Sequence, residues 1–268
     1  MKLDQYFNLH SHTSRCGHAY GTDKEYVLAA IEAGFTELGF SDHVMLPGVS
    51  QVGTRAEYSM LEDYVRSVTK LRRRYRDKID IHVGFEAEWY GDTFKSYYQK
   101  LLDKGIVEYL ILGQHCCLEN GTLRWYATLD PSTRIRRYTD DLIAGMDSGL
   151  FLYVCHPDTF LRWHGVFDEE ARQCSVDICQ AAIRNNIPLE INLSVGRYAF
   201  ERLRQEGSLD YPCAMFWDIA SELGVTCVYG VDAHNPSDYE TTPYEFYERF
   251  ACQHHLNLLR FSPLTGKK

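Results

Sequence analysis

Seven of the chain's eleven histidines, namely His10, His12, His18, His43, His115, His156 and His234, fall at or just past the end of a short apolar run. Glu86 and Asp232 stand at the same kind of place. His82, His164, His254 and His255 do not. One isolated histidine is most simply a core or surface residue. Seven recurring at the same point of successive runs need another account. His10 and His12 are two apart, so on a strand both side chains point to one side, and Asp232 and His234 repeat that spacing. Glu86 and Glu88 are also two apart, and on spacing alone either could bind metal. Asp42 and His43 are adjacent, so only one points inward unless the strand has already ended. Imidazole nitrogens and carboxylate oxygens suit zinc, manganese or iron. Nine such groups exceed the need of one ion, whereas two or three divalent ions sharing a bridging carboxylate would use them all. Such clusters lower the pKa of a bound water and stabilise the entering and leaving oxygens of phosphoryl transfer.

The elements that must carry these residues are legible. The runs are YFNLHSH, TELGFSDH, IDIHVGFEAE, EYLILGQH, FLYVCHPD, PLEINLS and TCVYGVDAH. Between them lie helical patterns. Asp23 is expected to cap KEYVLAAIEAG, which stops at Gly34. Residues 57–77 form a long amphipathic stretch with a basic end, as the helix dipole favours. FKSYYQKLLDKG, the segment opened by Pro131, EEARQCSVDICQAAIRNN after Asp168, and YPCAMFWDIASELG follow. Strands alternating with helices imply βαβ units and a parallel sheet, and runs apolar on both faces suit a buried one. Seven in series favour a closed or nearly closed barrel, whose strand C-termini form the reactive rim. No linker or low-complexity segment splits the chain, so one domain is expected, with a terminal helix and a loose end after about residue 250.

Composition narrows the functions. The 268 residues are 45% hydrophobic, enough for one sizeable core. Acidic residues number 37 against 28 basic, a formal net charge of −9, which disfavours a nucleic-acid partner. Nine cysteines, an odd number with no CxxC pair, point to reduced thiols and a cytoplasmic location, each thiol acting as a small buried hydrophobe. Cys16, Cys116 and Cys155 adjoin the suspected ligands. Met1-Lys2-Leu3-Asp4-Gln5 leads straight into a strand-like run, so no signal peptide is expected, and no apolar stretch reaches membrane-spanning length.

NLHSHT, CGHA, GFSDH, GFEAE, GQH, CHPD and GVDAH, in that order over roughly residues 7 to 236, resemble the motifs of the PHP (polymerase and histidinol phosphatase) superfamily. The resemblance implies a distorted seven-stranded (β/α)7 barrel of TIM-like type holding three metals. One ion would be held by His10, His12, Glu86 and Asp232. A second would share Glu86 and add His115 and His156. The third would take His18, His43 and His234. Glu86, rather than Glu88, is then the bridging carboxylate, and Asp42 orients a ligand or a proton donor.

Within the superfamily the chain is similar to the histidinol-phosphate phosphatases, through LEINLSVGR and CHPDTFLRW. It departs from them in reading Leu193-Ser194-Val195-Gly196 where that group often carries Thr-Ser-Gly. The implied reaction is hydrolysis of a phosphate monoester by a metal-bound hydroxide, with L-histidinol phosphate as substrate in histidine biosynthesis. Arg162 and Arg197 are the candidates to grip the phosphate, since a guanidinium fork matches its oxygens. His43 is expected to touch substrate. Asp42, His234 and Arg197 are the expected catalytic groups, with Asp158 a further candidate to protonate the leaving oxygen. Rival readings are a phosphatase or diesterase of the same scaffold acting on a nucleotide or sugar phosphate, and a non-enzymatic metal-binding module. An amidohydrolase barrel also opens with HxH but uses a modified lysine at the fourth strand, where this chain reads GQH. Ser194 lacks a nucleophile-elbow context, and no dinucleotide or P-loop glycine motif occurs. Arg72, Arg73 and Arg74 read as a solvated helix end.

Overall fold

The computed structural model describes residues 4–194 and 211–267. β1 (Phe7–Asn8), α1 (Asp23–Glu32), β2 (Glu37–Phe40), α2 (Leu61–Tyr75), β3 (Asp80–Ala87), α3 (Asp92–Asp103) and β4 (Tyr109–Leu112) alternate along the chain. A hairpin of β5 (Cys116–Glu119) and β6 (Thr122–Trp125) follows. Next come α4 (Arg134–Asp147), α5 (Thr159–His164), α6 (Glu169–Asn185), β7 (Leu189–Asn192), α7 (Ala214–Leu223) and β8 (Thr226–Gly230). The described chain closes with α8 (Asp238–Thr241), α9 (Tyr244–Gln253) and β9 (Asn257–Leu258).

β1, β2, β3 and β4 pair in parallel in that order, and β7, β8 and β9 form a second parallel sheet. Val154 joins the two, bridging Leu112 on one side and Leu189 on the other. At the far edge Ser11 bridges Ala233, and the His12 N–H donates to the Ala233 carbonyl at 2.9 Å. The sheet therefore curls back toward its own first strand. Of the seven expected runs, six carry parallel strands. FLYVCHPD departs from expectation: it contributes single-residue bridges at Val154 in place of a strand. There the chain turns out of the sheet at His156, with φ 33°, and Pro157 has no N–H to extend a ladder.

Between β1 and β8 the backbone ladder is replaced by side chains. Gln5 Nε2 donates to the Tyr229 carbonyl at 2.8 Å, and Gln5 Oε1 accepts from the Tyr229 N–H at 3.0 Å. Asn8 Oδ1 accepts from the Val231 N–H at 2.9 Å. Both side chains are buried, so these contacts satisfy strand groups that would otherwise lack partners. Inside the curl, Phe7, Leu9, Tyr109, Ile111, Tyr153, Cys155 and Val228 form a compact apolar plug. The Tyr109 ring lies across Gly39 and Gly84, where any Cβ would overlap it, and its hydroxyl donates to the Leu9 carbonyl at 2.8 Å.

The helices cover the outside. α2 buries Tyr64, Val68, Leu71 and Tyr75, spaced four, three and four apart, on the face turned to β3. α1 is capped by Thr22 rather than Asp23. Thr22 is extended and its hydroxyl accepts from the Glu25 N–H, while Glu25 reaches back to the Thr22 N–H, a complete capping box. Asp23 is instead taken by Arg15 at 2.9 Å. Asp168 caps α6 as expected, accepting from the Ala171 N–H. The hairpin β5–β6 was not expected from the apolar runs. Its two-residue turn is Asn120-Gly121, both at positive φ (50° and 77°), a pair that favours such turns and marks the hairpin in the sequence.

The described residues after 258 are not loose. The Leu259 N–H donates to the Cys227 carbonyl, and the Ser262 and Thr265 hydroxyls donate to the two oxygens of buried Glu37 at 2.8 and 2.7 Å. All nine cysteines are free, eight of them buried and Cys252 exposed. Among the described residues no helix is long and apolar enough to cross a membrane.

Candidate metal centre

The strand ends bring all nine of the singled-out histidines and carboxylates to one rim. Each short strand stops where its last residues face the mouth of the curl, and two of the turns there are strained. His156 (φ 33°) and Asp232 (φ 49°) both sit in the left-handed region, which a non-glycine residue enters only at some energetic cost. That backbone turn aims each side chain at the mouth.

Glu86, on β3, is the hub. Its Oε1 lies 2.8 Å from His156 Nε2 and 3.5 Å from His115 Nε2. Its Oε2 is ringed by His43 Nδ1 at 3.1 Å, His12 Nε2 at 3.4 Å and His10 Nε2 at 3.6 Å, yet it is buried and accepts no hydrogen bond. Asp232 Oδ1 lies 3.0 Å from His12 Nε2 and 3.3 Å from His10 Nε2. Gly113 makes room for this hub, since any Cβ there would overlap the Glu86 carboxylate.

Two pairs of imidazoles confront each other nitrogen to nitrogen: His10 Nε2 and His12 Nε2 at 3.3 Å, His18 Nε2 and His234 Nε2 at 3.0 Å. Such facing lone pairs repel unless a proton or a cation lies between them. Two nitrogens on one tetrahedral zinc, at Zn–N of about 2.0–2.1 Å, stand roughly 3.3 Å apart. The donor set and its spacing therefore fit divalent metal. The three groupings implied by the resemblance are recognisable as neighbours: His10, His12, Glu86 and Asp232; Glu86, His115 and His156; His18 with His234. His43 lies between groupings, with its ring 5.3 Å from that of His18, 4.4 Å from that of His12 and 5.3 Å from that of His115.

Electrostatics follow from this crowding. Burial alone would raise the Glu86 carboxyl, but the charges of His115, His43 and His10 overcome it and hold it well below the usual carboxylate range. Asp232 behaves likewise beside His10 and His234. Burial disfavours a proton on His12, yet the neighbouring Asp232 and Asp42 carboxylates carry it up to about 9. His234 goes the other way, down to about 3, through burial and the neighbouring His12 charge.

Other residues hold the donors in place. His10 Nδ1 meets Glu190 Oε2 at 2.8 Å, which turns His10 Nε2 to the mouth. Glu190 Oε1 accepts from Asn192 Nδ2, which also reaches Asp232 Oδ2 at 3.1 Å. Gly230 leaves the space that the Glu190 carboxylate fills. Asp42 is fully buried behind His12: its Oδ1 is 3.6 Å from His12 Nδ1 and accepts from the His43 N–H at 2.9 Å, and its Oδ2 accepts from the Thr13 hydroxyl. It touches the ligands and not the cleft, the position of an orienting group. Glu88 lies behind the hub: its Oε1 is 2.8 Å from Arg55 and 3.6 Å from His115 Nδ1.

The cleft above the hub measures about 270 Å³ and is lined by His12, His18, His43, Glu86, His115, His156, Asp232 and His234, with Gly53, Thr54 and Trp125 at its walls. Trp125, at the end of the hairpin, is 43% exposed and its ring stands edge-on to His115 at 6.3 Å. Among the described residues that line the cleft there is no arginine. Arg162 is exposed on α5 with its guanidinium 5.3 Å from the Tyr211 ring centre, and Arg197 lies outside the described residues. Asp158 is buried away from the cleft, accepting from the Cys213 N–H at 2.9 Å and Trp217 Nε1 at 3.1 Å, so it anchors the start of α7. Burial raises its carboxyl to about 6. Glu190, Asn192, Thr54 and Trp125 were not anticipated. Glu190 and Asn192 share the two-residue spacing that flagged the other pairs.

The family model described as PHP domain matches residues 8–194. A Deinococcus radiodurans protein named probable histidinol-phosphatase is 26% identical over 234 residues, 85% of this chain and 86% of its own. The histidinol-phosphatase of Bacillus subtilis is 22% identical over 267 residues, 90% of this chain and 97% of its own. Among solved structures, the Lactococcus lactis histidinol phosphate phosphatase, complexed with zinc, L-histidinol and phosphate, superposes with a TM-score of 0.70 at 18% identity. That match covers 98% of this chain and 99% of the other, and it is a likeness of fold.

Proposed function

The chain belongs to the PHP domain family, and from that premise we propose that it is a metal-dependent phosphatase that hydrolyses L-histidinol phosphate to L-histidinol and phosphate, a step of histidine biosynthesis. The observation that carries this reading is Glu86: one buried carboxylate with imidazoles gathered at each of its two oxygens. A bridging ligand of that kind serves two ions a few ångströms apart, the arrangement that clamps a phosphoryl group. The names of the Deinococcus and Bacillus relatives, each matched over most of its length, support the substrate.

We assign His10, His12, Glu86 and Asp232 to one ion, Glu86, His115 and His156 to a second, and His18, His43 and His234 to a third. Zinc, manganese or iron held there would activate water and neutralise the charge that builds on the phosphate oxygens. The chain's own part is positional. Glu190 and Asp42 fix the rings of His10 and His12. Gly113 admits the hub carboxylate. Trp125 and Thr54 bound the entrance and restrict what can reach the phosphorus. Arg197 and Arg162 remain our candidates to bind phosphate. We take the scaffold to be a single-domain, distorted (β/α)7 barrel whose fifth stave is the segment around Val154.

The test is a turnover panel on metal-loaded protein: L-histidinol phosphate, nucleoside monophosphates, a sugar phosphate and a model diester. Histidinol phosphate should give the highest kcat/KM. Chelation should abolish phosphate release, and added Mn²⁺ or Zn²⁺ should restore it. Turnover that survives exhaustive chelation, or equal rates across the panel, would overturn the assignment.

A further inference from the structure

On the outer face of the curl, the turn before α2, α2 itself and the residues after α3 enclose a groove of about 810 Å³, against about 270 Å³ for the metal cleft. The two share no lining residue. The groove's volume lies in the range of pockets that hold drug-sized ligands, roughly 300–1,000 Å³. Its floor is apolar: Leu61 and Val65, one turn apart on α2, with Tyr58 before them and Ile106 opposite. Its rim is cationic: Arg66, Lys70 and Arg73 follow one another at helical spacing, and Lys104 faces them.

Helix-end charge explains only part of this set of cations. Favourable charge at a helix C-terminus accounts for the last turn of α2, where Arg72 reaches Glu108 and Arg74 lies 5.8 Å from the Tyr75 ring. The same preference covers Arg73, in the last turn of α2, and Lys104, the C-cap of α3, but not Arg66 or Lys70 a turn or more earlier. Arg66 meets Asp63 at 3.2 Å, but among the described residues Lys70, Arg73 and Lys104 have no ion pair. A chain with net charge −9 thus gathers four cations around one apolar trough. At the trough's other end Glu62 and Ser59 supply hydrogen-bonding groups beside the Tyr58 ring.

We propose that this groove is a second ligand site, for an organic polyphosphate of nucleotide size carrying an aromatic, amine-bearing base. The phosphates would lie along Lys70, Arg73 and Lys104, where clustered positive charge matches them. The base would rest on Leu61 and Val65 against Tyr58, with its amino group toward Glu62.

The experiment is calorimetric titration of the metal-loaded protein with a non-hydrolysable ATP analogue, with saturating inorganic phosphate present to fill the metal cleft. Binding is expected with a Kd below about 1 mM and should weaken as salt rises. The Lys70→Glu/Arg73→Glu variant, altered at two exposed positions, should lose about tenfold or more in affinity while its phosphatase turnover stays unchanged. Adenosine alone and tripolyphosphate alone should each bind more weakly than the nucleotide. The proposal is overturned if no binding occurs in that range, if phosphate displaces the nucleotide, or if the variant binds as tightly as the parent. Tripolyphosphate binding as tightly as the nucleotide would likewise overturn it, since the apolar floor would then contribute nothing.

Discussion

Glu190 shows how a residue can govern the site without touching the cleft. Its carboxylate takes His10 Nδ1 at 2.8 Å, and so decides that Nε2 faces the mouth. Glu190→Gln should keep the fold, judged by circular dichroism, but lower metal affinity and turnover about 10- to 100-fold; full metal content with full turnover would remove it from this role. His12 gives a second expectation. Its folded pKa of about 9 exceeds the ordinary 6.5, so the fold binds that proton more tightly than the unfolded chain does. The resulting stability is fully present below pH 6.5 and is lost as pH rises through 9. His10, also raised, acts in the same direction. Chelated protein should therefore melt at progressively lower temperature across that window, while metal-loaded protein, whose coordinating imidazoles are held neutral, should not. A flat profile for the chelated form would contradict the ring of charges around Glu86 and Asp232. The donors themselves were legible because imidazoles and carboxylates recurred at one place in successive runs. Trp125 and Thr54 were not, because they reach the cleft only through the path of a hairpin and a loop.

At the scale of elements, the site depends on what strands leave out. Gly113, just past β4, and Gly230, the last residue of β8, each vacate the volume that a carboxylate from a neighbouring strand occupies. Gly113→Ala should push Glu86 off its position. The expected result is a loss of bound metal and of most activity, with a destabilisation of about 1–3 kcal/mol from overpacking, measured by metal analysis and denaturant unfolding. An alanine variant with a full metal complement would show that the hub has more room than the structure gives it. Strands and helices were readable from apolar runs and amphipathic periodicity, since those patterns follow directly from what each face packs against. The bounds were less so. Thr22 displaced Asp23 as the cap of α1 because Arg15 claims Asp23. The hairpin carried a local mark, Asn120-Gly121, that tests for strand–helix alternation pass over. The stave around Val154 gave up its ladder to the turn at His156.

For the whole molecule, closure underneath matters as much as the rim. Glu37 is buried at the floor of the curl and is satisfied by Ser262 and Thr265 from the final residues. Removing residues 260–268 should therefore destabilise the protein by about 1–3 kcal/mol, the cost of a buried acceptor left without donors. Calorimetry would read this as a lower Tm with metal content per chain unchanged; an unaltered Tm would mean the tail is not a fastening. Nothing in the sequence distinguished that tail from a frayed end, because its partners lie some 225 positions away. The seam beside β1 has a different implication. Backbone ladders are blind to the identity of the side chains they join, so elsewhere in the curled sheet the pairing of strands does not depend on any one side chain. At Gln5 and Asn8 that independence ends. There the shutting of the wall is encoded in two amide groups, and Gln5→Glu would set an oxygen against the Tyr229 carbonyl where a donor is needed. Loss of these two amides would part the first strand from the eighth while every histidine and carboxylate of the rim keeps its identity.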